Sequence, residues 1–190
     1  MEKILVKDIG SIDLKGKVIA FPTDTVYGVG CIIDDNVAIH KIYELKQRDY
    51  SKPLAVLAPN KDISKYVKSI SKEAKELMEK YWPGALTIIF DKTDLISPLV
   101  TSNMESVGLR VPNSDIAQKI LNHFGLMCTT SINISGENSI NSIKEIEKKF
   151  NDKIDYLVID DCILSKVAST VVDAREDKIK VLRKGSIELD

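Results

Sequence analysis

A mixed α+β domain with α/β-type alternation, built in three layers, is the fold class that the sequence predicts. Three observations carry it. Short β-branched runs alternate with segments whose apolar residues recur at helical spacing. The order of strands and helices calls for crossover helices between strands. No internal repeat, low-complexity tract or long linker interrupts the alternation. A chain of 190 residues that is 44% hydrophobic and 29% charged can bury roughly 70% of its unfolded surface in one core, which excludes a disordered tail, a collagen-like repeat and a coiled-coil rod.

The elements follow in order. Val18 to Phe21 and Val26 to Ile32 read as strands separated by Pro22-Thr23-Asp24. A helix starts at Asn36 as its N-cap, places Ile39, Ile42 and Tyr43 on one face and ends near Leu45 to Lys46. Leu54 to Leu57 resumes a strand. Ala74, Leu77, Met78 and Tyr81 stand at i, i+3, i+4, i+7 spacing, so Ser71 to Tyr81 is a helix stopped by Trp82-Pro83-Gly84. Leu86 to Phe90 and Val107 to Val111 are strands. Ser114 to Phe124 is a helix with Ile116, Ile120 and Phe124 inward, and Leu126 to Thr130 is a further strand. Ser142 and Glu145 have capping-box spacing ahead of Ile146 and Phe150. Strands near Tyr156 to Ile159, Thr170 to Asp173 and Lys178 to Arg183 complete the chain.

Charge and composition narrow the chemistry. The 27 Lys and Arg nearly cancel the 28 Asp and Glu, leaving a net charge of -1 and no whole-protein field for nucleic acid or an anionic membrane. Any basic site is local. The longest apolar runs, such as Leu86 to Phe90, fall far short of the roughly 20 residues that span a bilayer, and the opening MEKILVKDIG lacks the apolar stretch of a secretory signal. The expectation is a cytoplasmic protein without membrane contact. Cys31, Cys128 and Cys162 are odd in number and far apart in sequence, which fits reduced, packed thiols better than a disulfide framework or zinc site. With His40 and His123 the only histidines, neither a metal site built from side chains nor a Ser-His-Asp triad is expected.

Four segments carry more polarity than packing requires. Phe21 to Gly30 crowds two threonines and Asp24 into a turn between strands; a hydrogen-bonded Asx or Ser/Thr turn explains that, and neither a dinucleotide fingerprint nor a P-loop is present. Lys46-Gln47-Arg48-Asp49-Tyr50-Ser51-Lys52-Pro53 puts three cations after a helix, where the macrodipole alone accounts for roughly 0.3 to 1 kcal/mol, yet a cation entering a buried strand also suits a cleft beside the sheet. Thr129 to Ser139 is rich in small donors that suit an ordinary turn or a phosphate. Ser169-Thr170-Val171-Val172-Asp173, then Leu182-Arg183-Lys184-Gly185, places hydroxyls and a guanidinium at strand ends.

In this order the four segments resemble the YrdC-like family of threonylcarbamoyl-AMP synthases, from about Gly16 to Gly185. The family's P-T-(D/E)-T-x-Y-G loop, Lys-x-Arg pair, Ser-x-Asn-x-Ser-Gly loop and Ser-Thr-Val-Val-Asp strand with Leu-Arg-x-Gly all occur, beside Val107-Gly108-Leu109-Arg110-Val111-Pro112 and Trp82-Pro83-Gly84. The resemblance implies a twisted mixed β-sheet flanked by helices with a concave cationic cleft, in one domain over residues 1–190 of the short form without a C-terminal extension. It implies an enzyme that joins L-threonine, bicarbonate and ATP into L-threonylcarbamoyl-AMP and pyrophosphate, with Mg²⁺ bound through ATP. The product passes to the tRNA threonylcarbamoyl transferase machinery for N6-threonylcarbamoyladenosine at tRNA position 37.

Carried over residue by residue, Lys46 and Arg48 are the catalytic cations facing the phosphates. Thr25, Arg110, Thr129 and Ser169 hold threonine. Arg48, Lys52, Ser106, Ser131, Asn133, Ser139 and Arg183 hold ATP. Lys52 stands where Asn is common, Leu57 where some relatives have His, Ile132 where Ala is usual and Lys184 where Pro usually follows Arg; Leu57 leaves one threonine contact open. Two other readings use the same residues. One is a non-catalytic double-stranded RNA or tRNA-binding module, opposed by the near-zero net charge and the absence of aromatic stacking motifs. The other is the carbamoyl-adenylate chemistry of hydrogenase maturation factors, which belongs to much larger proteins.

Overall fold

The computed structural model describes residues 1–176 and 178–189. Its strands are β1 (Glu2–Ile4), β2 (Ile19–Pro22), β3 (Tyr27–Ile32), β4 (Ala55–Leu57), β5 (Leu86–Asp91), β6 (Ser106–Arg110), β7 (Met127–Ser131), β8 (Tyr156–Val158), β9 (Thr170–Asp173) and β10 (Lys180–Arg183). Four helices join them: α1 (Asn36–Lys46), α2 (Lys72–Tyr81), α3 (Asp115–Phe124) and α4 (Ile143–Phe150). One mixed sheet runs in the order β1-β8-β2-β3-β7-β4-β6-β5-β9-β10. Parallel pairs are β1 with β8, β8 with β2, β4 with β6 and β5 with β9; the other neighbours are antiparallel.

Period-two alternation divides the sheet into two faces. Val29, Val56, Leu86, Ile88, Val107 and Leu109 share a buried cluster with the inward residues of α1, α2 and α4. On the opposite face, Ile19, Phe21, Leu57, Met127 and Val158 pack with Ala117, Ile120 and Leu121 of α3 and with the 3-10 turn over Val6–Ser11. Three helices therefore cover one face, while α3 and the 3-10 turn pack on the other only from β1 as far as β4. This uneven layering leaves the second half of that face to the site.

The predicted elements form, with local differences. Asp35, not Asn36, caps α1: one carboxylate oxygen accepts the Ala38 N–H at 3.0 Å and the other accepts the Gly16 N–H. On α3, Ile120 is inward as predicted and Ile116 and Phe124 are half-buried against the same cluster, while Ala117 and Leu121 add fully buried residues to that face. Ser142 forms no side-chain cap, so no capping box exists at α4. The final strand begins at Lys180, two residues later than predicted. β1 and the 3-10 turns over Val6–Ser11 and Ser64–Tyr66 carried no periodic signal, because each is too short to show one. Cys31 and Cys128, distant in sequence, are directly opposed on β3 and β7 with their sulfurs 3.2 Å apart.

Thr170 is the fastening point of the C-terminal segment. Its hydroxyl donates to the Ile187 carbonyl at 2.7 Å and accepts the N–H groups of Gly185 and Ile187, each at 3.1 Å. Gly185 has no room for a side chain: a Cβ there would lie 2.3 Å from the Ala168 carbonyl oxygen. The near-isosteric Thr170→Val replacement leaves two N–H groups and a carbonyl without their partner. It is expected to cost about 2–4 kcal/mol of stability in urea titration, with an unchanged m-value.

Candidate active site

On the half-face that α3 leaves uncovered lies a cavity of about 510 Å³. Alternation builds its wall: Thr87 and Ile89 of β5, Ser106, Gly108 and Arg110 of β6, and Val171 and Asp173 of β9 line it. The residues between them, Ile88, Val107, Leu109 and Val172, lie in the core on the other side. Gly108 keeps the floor low. A Cβ there would stand 3.1 Å from the Thr87 methyl and 3.2 Å from the end of Ile89. Gly30 on β3 serves its register partner, since a Cβ would come within 2.5 Å of the Thr129 methyl.

One end of the cavity is organised by Arg110, which is 5% exposed. Its Nε donates to the Gly84 carbonyl at 2.9 Å, Nη1 donates to Thr25 Oγ1 at 2.9 Å, and Nη2 pairs with the Asp24 carboxylate. Burial pulls the Arg110 pKa down, and the Asp24 charge opposes that pull. A guanidinium has five N–H groups, so the two beyond these three bonds sit one on each terminal nitrogen, the pattern of a carboxylate fork. Thr25 is held in turn by the threonine turn read in the sequence. Thr23 Oγ1 lies 2.9 Å from Thr25 Oγ1, donates to the Val26 carbonyl at 2.8 Å and accepts the Thr25 N–H at 3.2 Å.

A second group converges from β9 and β10. Ser169 Oγ is 2.8 Å from Thr87 Oγ1 and accepts Arg183 Nη2 at 3.0 Å, while Arg183 Nε and Nη2 both donate to the Ser169 carbonyl at 3.0 and 2.9 Å. Partial burial lowers the Arg183 pKa. Arg175 grips Asp173 in a two-pronged pair, Nε to Oδ1 at 2.9 Å and Nη2 to Oδ2 at 2.7 Å, which holds the Asp173 carboxyl below its ordinary value. On the opposite wall Arg48 donates to the carbonyls of Lys52 at 3.1 Å and Pro53 at 2.9 Å. Burial also lowers its pKa. Among the described residues, Arg48, Arg110, Arg175 and Arg183 line the cavity, with Asp173 as the one acidic residue on its wall.

The structure brings Thr25, Arg48, Ser106, Arg110, Thr129, Ser131, Ser169 and Arg183 to this one cavity. It does not bring Lys46, Lys52, Asn133 or Ser139 to its wall. Gln47 closes α1 in the left-handed conformation at φ 49°, and the cations on either side of it part company. Arg48 enters the cavity wall, whereas Lys46 is 1% exposed and its ammonium points into the 131–133 backbone. Lys52 contributes its carbonyl to Arg48 and leaves its side chain exposed. The Ser139 carbonyl accepts Asn141 Nδ2 at 3.3 Å. The Lys46 ammonium thus faces the 131–133 loop and does not line the cavity. Sequence reasoning left Asp24, Thr87, Gly108, Asp173 and Arg175 without roles. Counting back by twos from Arg110 finds Gly108 and Ser106, and the same count finds Thr87 from Ile89; no spacing signal marks Arg175, which follows a strand end.

A ten-stranded mixed sheet with an arginine-lined cavity on its half-covered face defines the class, and the chain belongs to the Sua5_yciO_yrdC family, described as telomere recombination, whose model matches residues 12–185. Among its relatives, the threonylcarbamoyl-AMP synthase of Bacillus subtilis is 35% identical over 91% of this chain and 51% of its own length. That of Vibrio campbellii is 32% identical over 90% of this chain and 93% of its own length. The crystal structure of Pyrococcus abyssi Sua5 complexed with L-threonine superimposes with a TM-score of 0.89 at 30% identity, over 97% of this chain and 56% of that one. The chain thus spans about half of the Bacillus and Pyrococcus proteins and nearly all of the Vibrio one.

Proposed function

We propose that this chain is an L-threonylcarbamoyladenylate synthase, condensing L-threonine, bicarbonate and ATP into L-threonylcarbamoyl-AMP and pyrophosphate for the threonylcarbamoyladenosine of tRNA. The observation that carries the reading is the pairing of two kinds of recognition in one cavity. Arg110 has one uncommitted N–H on each terminal nitrogen beside the hydroxyl of Thr25, and Arg48 and Arg183 supply positive charge elsewhere on the wall. An amino acid fits the first arrangement and a triphosphate the second. The names of the Bacillus and Vibrio relatives and the threonine complex of the Pyrococcus protein support it.

The chemistry asks for little beyond positioning and charge. The threonine amine and bicarbonate yield a carbamate and water; a carbamate oxygen then bonds to the α-phosphorus as the bond to the β-phosphate bridge breaks, and pyrophosphate leaves. In this reading Arg110 holds the threonine carboxylate, and Thr25, Thr129 and Ser169 line the side-chain end. Arg48 and Arg183 offset charge on the phosphates, and Ser106 and Ser131 orient the nucleotide. Such preorganised donors act where charge builds up and require no nucleophilic side chain. Mg²⁺ bound to the triphosphate would offset part of its charge, leaving the rest to Arg48 and Arg183. Among the described residues no group of three acidic, His or Cys side chains is placed to hold a metal, and Asp173 is already paired with Arg175. The adenylate then passes to the tRNA-modifying machinery, and a cytoplasmic location goes with that step.

The test is pyrophosphate release with ATP, Mg²⁺ and bicarbonate. Threonine is expected to outpace valine roughly 10- to 100-fold in kcat/KM, because valine leaves a hydroxyl-binding group unpaired. Equal rates would remove the side-chain assignment. A protein that binds tRNA yet releases no pyrophosphate with any amino acid would be the RNA-binding module instead.

A further inference from the structure

Lys46 is buried on an unusual set of partners. Its ammonium donates to the Ser131 carbonyl, to the Asn133 carbonyl at 2.9 Å and to Asn133 Oδ1 at 3.0 Å. An ammonium has three N–H groups, and these three acceptors use all of them. The Lys46 carbonyl in turn accepts the Ser135 N–H at 2.8 Å, so the end of α1 and the 131–135 loop hold each other from both sides. Burial and the nearby Arg48 charge draw the Lys46 pKa down to about 7. Reaching toward a phosphate would take this donor away from the carbonyls of Ser131 and Asn133.

These contacts determine the polarity of the next groups along. A lysine ammonium only donates, so the Asn133 atom facing it is the amide oxygen, and Asn133 Nδ2 is turned onto the carbonyls of Ile134 and Glu137, both at 2.8 Å. Asn133 Oδ1 also accepts the Ser131 hydroxyl at 2.6 Å. That bond uses the only hydrogen Ser131 Oγ has. Ser131 lines the cavity, and what remains on its oxygen is lone-pair capacity.

We infer that Lys46 is a positioning residue which, through Asn133, fixes Ser131 as a hydrogen-bond acceptor in the cavity wall, so that Ser131 takes a donor group of the nucleoside, a ribose hydroxyl or the adenine amine, and not a phosphate oxygen. The inference rests on the nucleotide-binding reading for the ligand and on geometry alone for the loop. It turns a serine that resemblance places only near ATP into a reader of one nucleoside group, and it removes Lys46 from contact with substrate.

The experiment has two arms. In the first, amide hydrogen exchange is followed without nucleotide for the wild type, Lys46→Met and Lys46→Gln. Residues 131–140 are expected to exchange about tenfold faster in Lys46→Met, with Lys46→Gln intermediate because it restores two of the three donors, and with β5 and α3 unchanged. Unaltered exchange over 131–140 would overturn the positioning role. If Lys46→Met does not fold, Asn133→Ala removes the same link from the loop side and is expected to give the same local loosening. In the second arm, calorimetry compares ATP, 2′-deoxy-ATP, 3′-deoxy-ATP and ITP, which lacks the 6-amino group. The wild type is expected to bind one of the three analogues about tenfold or more weakly, and Ser131→Ala and Lys46→Met to lose that discrimination. The analogue that fails names the group. Ser131→Ala weakening all four ligands and inorganic tripolyphosphate alike would return Ser131 to the phosphates and overturn the inference. Failure of the wild type to bind any of the four would count against the proposed function, while the exchange arm would still decide the loop.

Discussion

Replacing Arg110 by lysine is expected to cut threonine-dependent pyrophosphate release about a thousandfold in kcat/KM, with the loss concentrated in the apparent threonine constant and little change in ATP binding. Arg110 already commits one N–H from each of its three nitrogens to Gly84, Thr25 and Asp24, which locks the plane of the guanidinium. Lysine cannot reproduce that fork, because a single ammonium supplies one point of charge and no fixed plane. It also strands the Gly84 carbonyl and loosens Thr25. Separate titrations of threonine and ATP, read beside thermal unfolding, check the result. If Arg110→Lys lost ATP affinity and kept its threonine dependence, Arg110 would belong to the nucleotide end of the cavity.

Filling the floor of the cavity is expected to be nearly as damaging. Gly108→Val places a Cβ already tight against Thr87 and Ile89, at 3.1 and 3.2 Å, and two further methyl groups project from it on the cavity side of the sheet. Valine suits a strand backbone, so the fold is expected to survive with a small shift in melting temperature while turnover falls several hundred-fold, about 3 to 4 kcal/mol in the barrier. Gly108→Ala is expected to fall between this variant and the wild type in steady-state pyrophosphate release. Wild-type activity in Gly108→Val would mean that the substrates never approach β6 at this point.

Much of this was readable in advance where a short-range rule governs the outcome. The strands around Leu86 to Phe90 and Val107 to Val111 announce themselves by β-branched runs, and α2 by its apolar spacing between Ser71 and Trp82. The same rules mark which strand residues share a face, so the grouping of Ser106 and Arg110 was implicit in their spacing. What escaped depended on facts that no window contains. Lys46 and Arg48 look equivalent as two cations beyond a helix, and the left-handed turn at Gln47 separates their fates. The cap of α1 went to Asp35, whose carboxylate also takes an N–H from Gly16, a long-range partner. Asn133 reads as a free donor in a polar loop, but every polar atom of its side chain is engaged by the loop or by Lys46. Arg175 gains its place only when β9 brings Asp173 beside β5.

The scatter of the cavity wall along the chain has a consequence for how the molecule is made. Thr25 and Arg110 are 85 positions apart, and Thr87 and Ser169 are 82 apart. On a ribosome adding about 5 to 20 residues per second, Ser169 emerges some 4 to 16 seconds after Thr87. Until then β5, which finally lies between β6 and β9, carries an open backbone edge, the kind of strand that seeks a foreign partner. Pairings of this range close slowly because their loop entropy is lost before contacts repay it. The half of the cavity that needs Ser169 and Arg183 is thus among the last parts of the molecule to exist, and a nascent chain stalled before β9 would carry Arg110 with Thr25 but lack the partners of Thr87.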